Sequence, residues 1–244
     1  AVVLLGGDAG LGKSRLIEAV AALARDVGGQ LVLGKCAERT RPRPLAPFVE
    51  ALEDYQSQTW GMPQAKRQAV LERLQRCPQT LSLGMAQAGP ATSYLPGGDG
   101  PRADHFARCV AFLSEAAAAL EPVLVIAIDD LQWADEGTLE LFVRLAASPQ
   151  ANLVLIGAFR PTELKPLARE ALDRVRALDS APLDIALEPL AAEDADALIL
   201  ALLADDGASA RAVALAVREV VGGNPLHLAE SMNCLLYTSP SPRD

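Results

Sequence analysis

Gly7, Gly12, Lys13 and Ser14 stand in the spacing G-x-x-x-x-G-K-S within the stretch GGDAGLGKS, residues 6–14. Glycines at 7, 10 and 12 let the backbone curl until successive N–H groups point inward at one place, which suits phosphate oxygens. The dipole of a helix opening at Lys13 adds positive potential there. Lys13 would bridge the β- and γ-phosphates of a nucleotide, and the Ser14 hydroxyl would ligate Mg2+. A Gly-rich turn with a coincidental lysine is the bland alternative. The strand pattern before the motif and the helical pattern after it count against that alternative.

A loop of this kind needs a carboxylate on the metal side, at the C-terminal end of a neighbouring strand. The stretch VLVIAIDD, residues 123–130, runs six apolar residues into Asp129 and Asp130. Asp129 fits the metal role. Asp130 would point elsewhere, because neighbours along a strand project to opposite sides. It would then orient the attacking water or accept its proton, or else serve as a cap or ion-pair partner. Arg160, ending NLVLIGAFR, would sense the γ-phosphate and stabilise transferring charge, or else pair with Glu163 on the surface. Trp133 and Asp135 would shape the loop behind the acids. His105 and His227 lack a second ligand nearby, so a His/Cys metal site is not expected.

These residues need elements to hold them. AVVLL (1–5), QLVLGKC (30–36), 123–128, 152–159 and 183–187 read as apolar strands. Helical spacing is expected over 13–27, with Leu16, Ile17, Val20, Leu23 and Ala24 on one face. Further helices are expected at about 47–57, 64–76, 104–120, 136–147 and 164–178, with a Gly/Pro-rich loop at 84–101. Continuous apolar strands alternating with helices predict an α/β fold, a parallel five-stranded sheet sandwiched by helices. From 190 onward the pattern is helical only and predicts a small lid. The expected division is a core at 1–189 and the start of the lid at 190–233.

The chain has 244 residues, half of them hydrophobic, which suffices for one large core with a small appendage. Its net charge of −9 argues against non-specific nucleic-acid contact through a basic face. No run of 18 apolar residues predicts a membrane span, and the opening AVVLLGG has no basic leader. The four cysteines at 36, 77, 109 and 234 lack C-x-x-C spacing, which predicts reduced thiols in a cytoplasmic setting. The final CLLYTSPSPRD (234–244) corresponds to an in-frame translation of a transposase-type sequencing adapter. The alternative for it is a natural Ser/Pro-rich linker. On the adapter reading Asn233 is doubtful and the natural chain is cut within the lid.

Taken in order, GGDAGLGKSRL, IDDLQWADEGTLELFVRLA, LVLIGAFRPTEL and GGNPLHLAE resemble the Walker A, Walker B, sensor-1 and lid motifs of one family. It is the AAA-type ATPase domain of the STAND class, origin-recognition-complex-like and found in LuxR-type and adenylate-cyclase-linked bacterial regulators. The resemblance spans residues 1 to about 232. It implies a P-loop NTPase that binds ATP or ADP with Mg2+, with Gly7, Gly10, Leu11, Gly12, Lys13, Ser14 and Arg15 on the nucleotide. It implies Mg2+ at Ser14 and Asp129, catalysis by Asp130, Arg160 and Lys13, and Pro225 near the adenine. KCAERTRPRPLAPFVEAL also matches, with Cys36 as a structural residue.

The second acid is Asp where hexameric machines of the wider family carry Glu, which implies a slow switch. A trans arginine finger would come from Arg174 or Arg176. The implied partners are ATP, sensor and output domains further along the chain, and a nucleotide-dependent homo-oligomer. No direct nucleic-acid contact and no membrane contact are implied for this stretch. An oligomeric loader or remodeller acting on DNA, and a non-hydrolysing ADP-bound scaffold, are the competing readings.

Overall fold

A computed structural model describes residues 1–38, 45–60, 123–148 and 152–238, together with the isolated positions 64, 68 and 110. The expected helices at 64–76 and 104–120, the loop at 84–101, His105, Cys77 and Cys109 lie outside the described residues or nearly so. The chain divides into two compact units. One holds residues 1–6 and 14–185; the other holds the loop Gly7–Lys13 and residues from Ala186 onward.

The first unit is built on a sheet of five strands. These are β1 (Val2–Gly6), β2 (Gln30–Lys35), β3 (Leu124–Asp129), β4 (Leu153–Phe159) and β5 (Leu183–Ala186), in the order β2-β3-β4-β1-β5. The pairs β1–β4, β2–β3 and β3–β4 are parallel. Every residue of β3 is buried, which explains a run with no polar alternation until its final aspartate. The register sets Lys35 opposite Asp129, Ile128 opposite Gly157, and Gly6 opposite Phe159. The C-terminal strand ends therefore fall in one row along the sheet edge.

Helices α1 (Lys13–Asp26), α2 (Ala46–Trp60), α3 (Glu136–Ala147) and α4 (Pro166–Arg176) connect or flank these strands. The main core joins Leu4, Val32, Phe48, Ile126, Leu131, Phe142, Leu155 and Leu172. On α1 the buried stripe is narrower than the sequence suggests. Ile17 and Ala24 are buried, whereas Leu16 and Leu23 are exposed. Apolar spacing alone does not separate a helix lying flat on a sheet from one touching it along a single line. Helices α3 and α4 are tied by Glu140, which accepts from Arg144 at 2.7 Å and Arg174 at 3.1 Å. Burial pushes its carboxyl up, but the two guanidinium groups outweigh that and hold it below the ordinary value.

The second unit contains α5 (Ala192–Leu203), α6 (Ala208–Val221) and α7 (Pro225–Thr238). Ala195, Ile199, Ala214, Val217, Leu228 and Met232 form its core. Helix α7 continues through the first residues of the segment at 234–244. Among the described residues no helix is long and apolar enough to cross a membrane.

Candidate functional site

The loop Gly7–Lys13 turns through two left-handed glycines, Gly10 at φ +81° and Gly12 at φ +96°. Only glycine adopts such angles without strain. Space over Gly12 is open: a Cβ there would meet nothing within 4 Å. At Gly10 a Cβ would instead lie 2.5 Å from Asn224 Oδ1 and 2.9 Å from Leu226. Lys13 is 7% exposed, and its Nζ donates to the carbonyls of Gly7 at 2.6 Å and Asp8 at 3.0 Å. The ammonium thus lies inside the curl of its own loop. Ser14 and Arg15 follow in the first turn of α1, where backbone N–H groups have no intrahelical acceptor. Arg15 itself is exposed and pairs with Glu18 at 3.0 Å.

The same unit brings Pro225 to this loop through its neighbour. Pro225 opens α7, where its missing N–H costs nothing. Asn224 caps that helix, its Oδ1 accepting from Leu226 N at 3.1 Å and His227 N at 3.4 Å. Asn224 Nδ2 donates to the carbonyl of Ala9 at 2.9 Å, and Leu226 N also approaches Gly10 O at 3.3 Å. Asn224 was not singled out from the sequence. Its place between Gly223 and Pro225 is an N-cap signature and was the available signal.

In the first unit, Asp129 ends β3 with 6% exposure. Its Oδ1 accepts from the backbone N–H of Asp130 at 2.8 Å. Asp130 lies just past the strand, at φ 57° and ψ 43°. Strand alternation therefore does not govern its side chain, which leaves the backbone from a left-handed residue past the strand end. A non-glycine residue tolerates this conformation best when it is Asn or Asp. A short 3₁₀ turn, Leu131–Trp133, follows and is closed by Trp133 N donating to Asp130 O at 2.9 Å.

Asp130 is 7% exposed and surrounded by partners from three strand ends. Lys35, ending β2, places Nζ 3.3 Å from Oδ2. Gln132 Nε2 donates to Oδ1 at 2.8 Å. Arg160, just past β4, sets its Nε 3.7 Å from the same oxygen. Arg160 also donates to Glu163 at 2.8 Å. That hydrogen bond, with the charges of Asp130 and Asp129, raises its pKa against the opposing effect of burial. The structure therefore gathers Asp129, Asp130 and Arg160 at one edge, where Arg160 pairs with Glu163 and also approaches Asp130. Gln132, 0% exposed, and Lys35 were missed in the sequence, where neither an amide nor a strand-terminal lysine stands out.

Around this edge, Asp135 caps α3 by accepting from Thr138 N at 3.1 Å. Trp133 packs on the core, with Lys165 Nζ 4.5 Å from its ring centroid. Burial pushes the Cys36 thiol well above its ordinary value, and the charges of Asp135, Asp130 and Asp129 add to the effect. Such a thiol stays protonated and inert, as a structural residue would. Arg174 and Arg176 are occupied within the chain. Arg174 pairs with Glu140 at 3.1 Å; Arg176 pairs with Asp184 at 2.7 Å and Asp173 at 3.0 Å. The bond that Arg176 donates to Asp184 raises its pKa in spite of burial.

Each unit's donors, taken by themselves, suit one part of a nucleotide with Mg2+. An open left-handed Gly12, a buried ammonium and a helix N-terminus fit phosphate. Hydroxyl and carboxylate oxygens fit Mg2+, which takes one or two protein ligands beside phosphate oxygens instead of a full protein cage. Among the described residues no three His, Cys, Asp or Glu side chains converge.

A parallel five-stranded sheet flanked by helices, with a glycine loop between β1 and α1, defines a P-loop NTPase. The chain belongs to the AAA ATPase domain family, which matches residues 1–156. Membership carries nucleotide binding and the general function of an ATPase domain. Among solved structures, the chain is similar to the Walker-type ATPase of Pyrococcus abyssi, at 18% identity and a TM-score of 0.54, covering 97% of this chain and 63% of that one. The ORC1 protein of Aeropyrum pernix in complex with DNA aligns at 16% identity and a TM-score of 0.36, over 97% of this chain and 59% of that one. The HORMA:CdnC:Trip13 complex of Escherichia coli aligns at 13% identity and a TM-score of 0.45, over 99% and 75%. The first likeness concerns the fold alone, and the other two carry no further argument. The chain spans less than two thirds of the length of the first two. No curated protein matches it.

Proposed function

We propose that this chain is the ATP-binding and slowly ATP-hydrolysing switch module of a multidomain bacterial signalling or transcriptional regulator of the STAND class, working in the cytoplasm. The observation that carries this reading is the edge where Asp129 and Asp130 stand side by side with separate surroundings. Asp129, with Ser14, holds Mg2+, and Gly7, Gly10, Leu11, Gly12, Lys13, Ser14 and Arg15 hold the nucleotide. Bound Mg2+ neutralises phosphate charge during transfer. Asp130 orients the attacking water, Arg160 stabilises developing negative charge, and Lys13 holds the terminal phosphates. Pro225 and the helices from 190 to 233 act as a lid that distinguishes ATP from ADP. Sensor and output domains elsewhere in the full protein, and a nucleotide-dependent homo-oligomer, are the proposed partners. The segment 234–244 plays no part in this module.

Slowness follows from Asp130. An aspartate is one methylene shorter than glutamate, and here its carboxylate is already engaged by Gln132 and Lys35. The same engagement favours, as a second reading, a scaffold that holds ADP without hydrolysing ATP. Steady-state phosphate release by the full chain with Mg2+ and ATP separates the two. The switch reading expects slow turnover that falls on Asp130→Asn. Absence of turnover in the wild-type chain would leave the scaffold.

A further inference from the structure

Gln132 uses both ends of its amide at the sheet edge. Its Nε2 donates to Asp130 Oδ1 at 2.8 Å, and its Oε1 accepts from the backbone N–H of Arg160 at 3.0 Å. The side chain is fully buried, so neither bond is exchanged with water at low cost. One residue thereby links the turn after β3 to the end of β4.

The second observation concerns Arg160. Its Nε is buried and has no hydrogen-bond partner among the described residues, although Asp130 Oδ1 lies 3.7 Å away. A buried guanidinium donor so close to a carboxylate would ordinarily close on it, since charge-assisted bonds are the stronger kind. Oδ1 is instead taken by the Gln132 amide. Asp130 is also held by its left-handed backbone, which a free chain would readily leave.

We propose that Gln132 is a positioning residue for ATP hydrolysis: it sets the Asp130 carboxylate and the Arg160 backbone in one register and keeps acid and guanidinium from closing into a direct hydrogen-bonded pair. This rests on the reading of Asp130 as the water-orienting acid. Gln132 acts only through its neighbours. Without the amide, Asp130 Oδ1 turns to Arg160 Nε, and both groups lose the orientation that hydrolysis requires. The nucleotide-binding loop has no part in these bonds, so affinity stays as it is.

The test uses the full chain with wild-type, Gln132→Met, Asp130→Asn and double-variant forms. Methionine fills the same volume without hydrogen bonds, and Gln132→Leu serves as a second apolar replacement should Met fail to fold. Phosphate release gives kcat and KM, and a non-hydrolysable ATP analogue gives affinity. Gln132→Met is expected to lower kcat on the order of 10- to 100-fold, as loss of a residue supporting a reactive group does. KM and analogue affinity are expected to stay within about twofold, because interactions made only during reaction appear in kcat. In the Asp130→Asn background the same change should lower kcat no further, since residues acting as a unit are non-additive. Unchanged kcat, a loss expressed in KM, or an additive loss in the double variant overturns the proposal while leaving Asp130 in place. Turnover unchanged by Asp130→Asn, or absent from the wild type, overturns the hydrolytic reading and this inference with it.

Discussion

Lys13 is the residue on which nucleotide binding depends most directly. Its ammonium now rests on two loop carbonyls, contacts that a phosphate can replace with stronger charge-assisted ones. Lys13→Ala is expected to abolish ATP binding, measured by titration of a fluorescent nucleotide; retained tight binding would contradict the loop assignment. Asp129→Asn should weaken the Mg2+ dependence of binding more than nucleotide affinity itself, seen by repeating the titration with and without the metal. Legibility at this scale followed charge. Lys13, Asp129, Asp130 and Arg160 stood out because charge in an apolar setting needs a reason. Gln132 and Asn224 did not, because a neutral amide becomes informative only when its distant partner is known, and that partner lies 28 residues away for Gln132 and 215 for Asn224.

At the scale of elements, the strands were legible to within about a residue, since runs such as LVIAID are too apolar and too β-branched for a surface. The α1 stripe was not, for the packing reason given above. Close packing also leaves marks at two glycines. At Gly34 a Cβ would run into the backbone of Pro47, fixing how nearly α2 approaches β2. At Gly157 a Cβ would come within 2.6 Å of Phe142 and 2.7 Å of Leu131. Gly157→Ala is therefore expected to destabilise the sheet unit by about 1–3 kcal/mol through overpacking. Denaturant unfolding checks it; a change below about 0.5 kcal/mol, the level of an ordinary surface substitution, would show that the contact relaxes freely.

For the molecule as a whole, the parallel α/β class was legible from alternating strand and helix patterns. The strand order β2-β3-β4-β1-β5 was not, because pairing is set by long-range packing that no local pattern encodes. The grouping of the phosphate loop was hidden as well. The loop Gly7–Lys13 groups with the residues from Ala186 onward, although its flanking elements belong to the sheet unit. In that second unit the last core side chains are Leu228 and Met232, while Cys234 and Leu235 are exposed. Removal of 234–244 should leave the thermal midpoint and nucleotide affinity unchanged. A fall in either would give the segment a place in the fold.

The position of β1 has a consequence for the order in which the chain acquires its function. The neighbours of β1 are β4 and β5, and Val2 pairs with Leu155. Among the described strands, those beside β1 both come later in the chain than β3. During synthesis, then, the residues that lead into the phosphate loop leave the ribosome before the strand they pair with, and dock only after Phe159 has followed them out. Pairings across so long a stretch of chain are slow to form. The phosphate loop thus waits for its sheet neighbour until β4 has been made, and a segment made early is put to use late.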